Sequence, residues 1–410
     1  MRRQGRKNIG QSAAALAAAV FMTAAAPFGA FGAVNYPDDS FYQPPEPPAP
    51  DYNKDLSPEF AYTEDKWASL RDNVMEYGEL ADLVHEYNPT VRSNRSSYND
   101  QKHKDLNDIY QDYMDDIDQI WDQADTASAG DDGVTWAQLR YSAQALTQQA
   151  DNLYQDIDME KIQYDQTEAG LVYQAQQLMV TYEQSKYNME TLQSVRKLLE
   201  AQYNAAVAQQ AVGMATQTDV LNAQKSLQDQ DSAILSAQKA ADSVHRSLCL
   251  MLGWDVDAQP DIRPVPEPDV SRIASMNPQA DSQAALDNNY DVKYYEKKGN
   301  NLTSYDLIEA NQVAIENAKD TALRSLRTQY DNVLTAKDAL DAAQAQLAVE
   351  TVDLNEATVK MNVGQGTQLE YQTAENDYIV AKNNVNTQRL QLLLAMEAYD
   401  WNVKGLTTSN

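Results

Sequence analysis

The chain has 410 residues, with 61 Asp and Glu against 32 Lys and Arg, a formal charge of −29 at pH 7 and a mean hydropathy of −0.62. Such a polyanion repels nucleic acid and anionic lipid, so neither is an expected partner. The 43% of hydrophobic residues suffice for a packed seam, and the single cysteine, Cys249, excludes an internal disulfide.

Residues 1–33 read as a signal peptide: Arg2, Arg3, Arg6 and Lys7 precede an alanine-rich apolar core that is short for a membrane span. Ala30 and Ala33 both offer a cleavage point, and no cysteine stands nearby to carry a lipid anchor. The mature chain is therefore expected to cross the cytoplasmic membrane and remain extracytoplasmic, in the cell envelope. Residues 34–60 are rich in proline and read as an extended segment, either a plain linker or an arm that uses Tyr36, Phe41, Tyr42 and Tyr52 as contacts.

Proline then sets the architecture. None occurs between Pro89 and Pro260, and none after Pro278. Two long proline-free blocks follow, a first helical repeat at 61–258 and a second at 284–404, joined by a proline-rich linker at 259–283 and ended by a tail at 405–410. Trp67 to Tyr87 is expected to be a short amphipathic helix with Leu70, Val74, Tyr77, Leu80 and Val84 on one face, stopped by Asn88-Pro89. From about Thr135 to Val212 the pattern predicts one helix of roughly 70 residues, on the order of 100 Å long.

That helix meets a break at Val212-Gly213-Met214-Ala215-Thr216-Gln217-Thr218-Asp219, and the break recurs at Val363-Gly364-Gln365-Gly366-Thr367-Gln368-Leu369-Glu370. Heptads restart behind each glycine. Val220, Leu227, Ile234, Ala241 and Leu248 follow the first, and Tyr371, Tyr378, Val385, Leu392 and Tyr399 follow the second. Smaller residues such as Ala223, Ala237, Ala374 and Ala381 stand three places further on, which is an a/d coiled-coil pattern with a small layer. The helix entering the second break is equally regular, from Leu326 through Val333, Leu340, Leu347 and Leu354 to Met361. In the first copy Leu171, Leu178, Leu192 and Leu199 keep the register while Ser185 interrupts it. Both blocks open alike, Val84 to Arg92 resembling Leu286 to Lys293. The expected fold is all-α: duplicated long antiparallel helical hairpins with little or no β-structure.

The signal peptide, proline-rich entry, Asn-Pro opening and paired tips reading Val-Gly-x-x-Thr-x-x-Asp/Glu together resemble the outer membrane efflux protein family, whose type member is TolC. The resemblance spans roughly Trp67 to Val403. It implies a TolC-like α-barrel protomer, a homotrimer in which each chain gives two hairpins to a passive export duct. It also implies tips that dock a membrane-fusion adaptor coupled to an ABC or RND-type pump. By that likeness Val212, Gly213, Met214, Val363, Gly364 and Gln365 are the docking tips, and Asp219 and Glu370 are the aperture acids. Gly366 stands where relatives can carry a basic gating residue, so no aperture salt bridge is implied.

The chain departs from the family where members that cross an outer membrane place paired strands. A spanning strand needs about 9 to 11 alternating residues. The breaks expected at Ala124–Trp136 and Tyr294–Ser304 are too short and too charged. This chain thus reads as a divergent member apparently without barrel strands, outer-membrane only if a barrel is present. A non-transporting coiled-coil scaffold or adhesin of the envelope is the alternative.

Chemistry finds little support in the residues. His85, His103 and His245 lack metal-ligand spacing and read as surface or seam residues, the aspartates from Asp112 to Asp118 read as a solvated face, and Gly364-x-Gly366 has no preceding strand or lysine for a phosphate loop. No nucleophile or base constellation appears, so neither a cofactor nor an enzymatic activity is expected. Cys249 beside Leu248 and Leu250 reads as a buried small apolar residue. Asp219 and Glu370 have a second reading as helix caps, because carboxylates are favoured at a helix N-terminus. The seam tyrosines read as amphipathic packing or as a lining for aromatic cargo.

Overall fold

The structure, a computed structural model, describes residues 62–101, 107–129, 133–153, 157–302 and 304–408. The expected signal peptide and proline-rich segment, His103, and the last two residues of the tail lie outside the described residues. The chain divides into two compact units, Met1–Ser69 and Leu70–Asn410. In the first, the described residues form one short helix, α1 (Glu64–Ser69), and the Tyr62 and Trp67 rings meet edge to face with centroids 4.9 Å apart.

The second unit opens differently from the single amphipathic helix expected over Trp67–Tyr87. Asp72 accepts a hydrogen bond from the Val74 amide (2.8 Å), a side-chain turn that ends any helix there. The chain then forms a two-residue strand, β1 (Val74–Met75), a 3-10 turn at Tyr77–Glu79 and helix α2 (Leu80–Tyr87). β1 pairs in parallel with β2 (Asp261–Ile262), so the start of the unit is tied to the segment between the repeats. Leu70, Met75, Leu80, Leu83 and Val84 are all buried, but from a turn, a strand and a helix rather than from one helical face.

After Asn88, helix α3 (Pro89–Gln101) carries proline at its first position, where no hydrogen-bonding N–H is needed. The described residues of the stretch expected as one helix of roughly 70 residues from Thr135 form α5 (Gly133–Leu153) and α6 (Ile157–Ala211), which have different partners, and the join between them lies outside the described residues. α5 pairs with α4 (Asn107–Ala129), burying Ile117 and Ala124 against Ala143, whereas α6 pairs with the helix beyond the first tip. The expected breaks are correspondingly shorter, since Ala124 to Ala129 lies in α4 and Tyr294 to Gly299 lies in a helix.

Beyond the first tip runs α7 (Gln217–Met251); after β2 come α8 (Pro278–Asn288) and α9 (Tyr290–Gly299), then α10 (Tyr305–Asn362) and α11 (Gln368–Val403). The four long helices pack pairwise in the order α7, α6, α11, α10. α6 and α11 run antiparallel, with Gln176 donating to Glu397 near one end and Ser194 donating to Asn376 (3.0 Å) towards the other. Along α7 the heptad positions Val220 to Leu248 face inward, whereas Leu221 and Leu235 face out, so only a narrow coiled-coil seam is covered. The α10–α11 seam is the main core. Leu326, Val333 and Leu340 meet Val385, Leu392 and Tyr399, with Ile273, Met276 and Ala285 closing one end.

That end is held by a duplicated clasp. Asn88 accepts from the amides of Thr90 and Val91 and donates to the Met251 carbonyl (2.9 Å), joining the start of α3 to the end of α7. Asn289 accepts from the Val292 amide and donates to the Gly405 carbonyl (3.2 Å), joining α9 to the end of α11. Beside each clasp a left-handed glycine, Gly253 (φ +82°) or Gly405 (φ +102°), lets the returning chain lie against Tyr87 or Asn288. Cys249 is fully buried at this end, its Sγ 3.9 Å from both His245 Nδ1 and the Ala258 carbonyl oxygen, and burial pushes its thiol up.

Candidate functional site: the paired helix bends

Both predicted bends are present and are built alike. At the first, the Gly213 amide donates to the Gln210 carbonyl (2.9 Å) and the Met214 amide to the Gln209 carbonyl (2.8 Å). At the second, Gly364 donates to Met361 (3.1 Å) and Gln365 to Lys360 (2.9 Å). These are the paired bonds of a Schellman termination, which needs a left-handed residue. Gly213 and Gly364 supply it with φ of +78° and +74°. A Cβ at either position would meet nothing within 4 Å, so backbone conformation and not crowding selects glycine.

The chain re-enters a helix two residues later through a capping box. Thr216 accepts from the Asp219 amide (3.2 Å) while Asp219 accepts from the Thr216 amide (2.8 Å). Thr367 and Glu370 repeat the exchange at 3.2 and 2.7 Å. The Thr216 backbone N–H holds the Asp219 carboxyl below the usual range, and that of Thr367 does the same for Glu370. Of the two roles expected for these acids, cap and aperture, the cap contacts are present at both. Thr216 and Thr367 are the threonines of the repeated tip motif, and Thr-x-x-Asp and Thr-x-x-Glu ahead of an apolar heptad carry the capping-box signal.

The structure brings all eight named residues to one end of the second unit. Ion pairs between α6 and α11, Lys197 with Glu375 (2.6 Å) and Lys382 with Glu190 (3.2 Å), fix a register in which the bends are offset by roughly one helical turn, ~5 Å. The apices are apolar and unprotected: Val212 is 71% exposed, Met214 79% and Val363 62%, with Gln365 exposed beside them. The Gly213, Met214, Gly364, Gln365 and Gly366 amides are committed to the turns, and the exposed side chains of the apices offer shape and apolar contact.

At the far end of α6 lies a polar cluster that sequence reasoning missed. His85 is buried; its Nδ1 lies 2.7 Å from Glu168, its Nε2 3.6 Å from Glu86, and Arg95 lies 3.7 Å from Glu86. His85 therefore ties α2 to α6 and is not a surface residue. The signal was invisible in sequence because Glu168 is 83 positions away. His245 sits half-buried against the Tyr182 ring. Among the described residues no cluster of three His, Cys, Asp or Glu could hold a metal ion, and no helix is long and apolar enough to cross a membrane.

No model of a known protein family matches the chain, and no curated protein matches it by sequence. Solved structures do. A membrane protein from Pseudomonas aeruginosa superposes with a TM-score of 0.52 at 13% identity, over 81% of this chain and 91% of that one. CusC, described for its conformational changes on folding and transmembrane channel formation, gives 0.49 at 12% identity over 90% and 99%. VceC, an outer membrane protein of Vibrio cholerae, gives 0.44 at 12% over 81% and 97%. The first of these likenesses, carried over most of both chains without sequence identity to match, establishes that this chain shares the fold of the Pseudomonas membrane protein.

Proposed function

We propose that the chain is a divergent, TolC-like member of the outer membrane efflux protein family: a passive helical duct in the cell envelope whose bends dock a membrane-fusion adaptor of an ABC or RND-type pump. One observation carries the reading. Two bends with the same Schellman turn and the same capping box lie at one end of four long helices and expose Val212, Met214 and Val363 to solvent. Rigid turns bearing bare apolar side chains fit a surface made to be covered by another protein.

The edges of the protomer support a homotrimer. α7 and α10 each have one long neighbour and leave Leu221, Leu235, Val349, Val352 and Val359 exposed on the other side. A second copy that sets its α10 edge against this α7 edge covers both, and threefold repetition closes the ring. In that ring the capping acids Asp219 and Glu370 also face the aperture and favour cations there.

The test is capture of a purified membrane-fusion adaptor encoded beside the chain, together with light scattering of the chain alone. The reading expects a trimer and adaptor capture that is lost in Met214→Asp with Val363→Asp while helicity stays unchanged. Capture unaffected by both substitutions overturns docking at the bends. A persistent monomer overturns the duct and supports an envelope scaffold.

A further inference from the structure

The hairpin of α4 and α5 has no counterpart in the second repeat, where α9 passes to α10 through a few residues at Asn300–Ser304. It departs from the chain between α3 and α6, at the end of the molecule remote from the bends, because α6 alone spans 55 residues or about 80 Å. α4 and α5 pack mainly on each other. Ile117 and Ala124 of α4 and Ala143 of α5 are buried between them, and Arg140 lies over the rings of both Trp121 (5.3 Å) and Trp136 (5.0 Å). An isolated pair of helices this short has little core of its own.

The two outer faces differ in kind. α4 carries seven aspartates and no lysine or arginine, and Asp115, Asp116, Asp118, Asp122 and Asp125 all point to solvent. α5 carries no acid before Asp151, and its only cation, Arg140, is engaged by the two indoles. On the side of α5 away from α4, Val134 (71% exposed) and Tyr141 (76%) stand seven residues apart with exposed Ala137 and Ala145 on the same face. Gln138 is exposed among them, so the face is part apolar and part amide, but it is uncharged in a chain of net charge −29, whose acidic surfaces repel one another.

We propose that the uncharged α5 face is an interface between copies of this chain: in the assembly, α5 packs on α5 of its neighbours around the symmetry axis, with the acidic α4 faces turned outward. The charge pattern selects a second copy as occupant. Contact of α4 with α4 brings two rows of aspartate together, whereas contact of α5 with α5 brings together Val134, Tyr141, alanine and the neutral amide of Gln138, with no charge to desolvate. The arrangement is a helical collar at the end opposite the bends, and it rests on the trimer reading above.

The test is proximity crosslinking in the purified full chain with Cys249→Ala. Tyr141→Cys treated with a short bis-maleimide is expected to give mostly covalent dimers and trimers, and Asp118→Cys on the α4 face only a trace. Light scattering of the untreated chain is read in parallel. A trimer that crosslinks equally at both positions, or at Asp118→Cys alone, overturns the α5 interface while leaving the trimer standing. A monomer that yields no crosslink at Tyr141→Cys overturns both. A Tyr141→Cys crosslink in a chain that sizes as a dimer keeps the interface and overturns only the trimer. Val134→Asp with Tyr141→Asp guards against a thiol artefact: dispersed α5 faces are expected to make the chain smaller or more loosely associated at unchanged helicity, and unchanged association overturns the proposal.

Discussion

At the scale of single residues, the four left-handed glycines among the described residues do two different jobs. Gly213 and Gly364 sit in open space, so an added methyl group costs only the left-handed backbone penalty, about 1 to 2 kcal/mol. Gly253 and Gly405 sit against chain. A Cβ would fall 2.4 Å from Tyr87 Cβ in the first case and 2.1 Å from the Asn288 carbonyl oxygen in the second, inside any permissible contact. Gly253→Ala and Gly405→Ala are therefore expected to force the Asn88 and Asn289 clasps apart and to lower the thermal midpoint far more than Gly213→Ala or Gly364→Ala. Circular dichroism melts of the four variants check this, and equal losses would mean that the clasps do not anchor the helices. The sequence displayed Gly213 and Gly364 because their neighbours repeat. Gly253 and Gly405 carry no such flag, since what demands glycine there is a backbone on another helix, remote in sequence.

Among the elements, the helices separate by how many sides they cover. α11 lies between α10 and α6 and buries residues on two faces, including Ala381, Asn383, Val385, Leu390, Leu392 and Leu393. α7 covers one seam, and its exposed and covered leucines serve as internal controls. Leu248 is fully buried, and its truncation to alanine is expected to cost about 2 to 5 kcal/mol. Leu235, 53% exposed in the protomer, is expected to change monomer stability by well under about 1 kcal/mol. Chemical denaturation of Leu248→Ala and Leu235→Ala under dissociating conditions makes the comparison; a large loss from Leu235→Ala would place α7 in a different register. This seam was legible before any coordinates, because heptads from Val220 to Leu248 and from Leu326 to Leu340 name their inward residues directly. The α4–α5 hairpin and β1 were not. Both arise where the local pattern suits a helix over a span whose ends are set by tertiary partners, β2 for the first strand and α4 for α5. Ser185, which looked like a fault in the α6 heptads, is buried and turns its hydroxyl back to the Tyr182 carbonyl (2.6 Å), a local solution that period counting does not see.

For the whole molecule, charge and shape oppose one another, and the balance makes assembly sensitive to salt. Joining chains of net charge −29 is unfavourable at long range, while the edges offered for joining are apolar, with Leu221 and Leu235 on α7 and Val349, Val352 and Val359 on α10. Three of the cations on those helices are already engaged at home. Lys225 pairs with Asp229 (2.5 Å), Lys337 with Asp341 (2.5 Å) and Lys360 with Glu356 (2.6 Å), each one turn away on its own helix. Such exposed pairs contribute little, and the attraction between the edges is taken to lie in their apolar contact. Added salt should therefore screen repulsion without removing attraction. Raising ionic strength from about 0.01 M to about 0.15 M shortens the Debye length from roughly 30 Å to roughly 8 Å. Over that range the trimer proposed above is expected to tighten, seen in sedimentation velocity as a shift towards the larger species at fixed protein concentration. Leu235→Lys with Val352→Asp, which replaces apolar contact with opposite charges, is expected to reverse the trend, so that its residual assembly weakens as salt rises. If the unaltered chain instead dissociates on adding salt, ion pairs rather than the apolar edges hold the copies together, and the edge-to-edge closure of the ring is wrong.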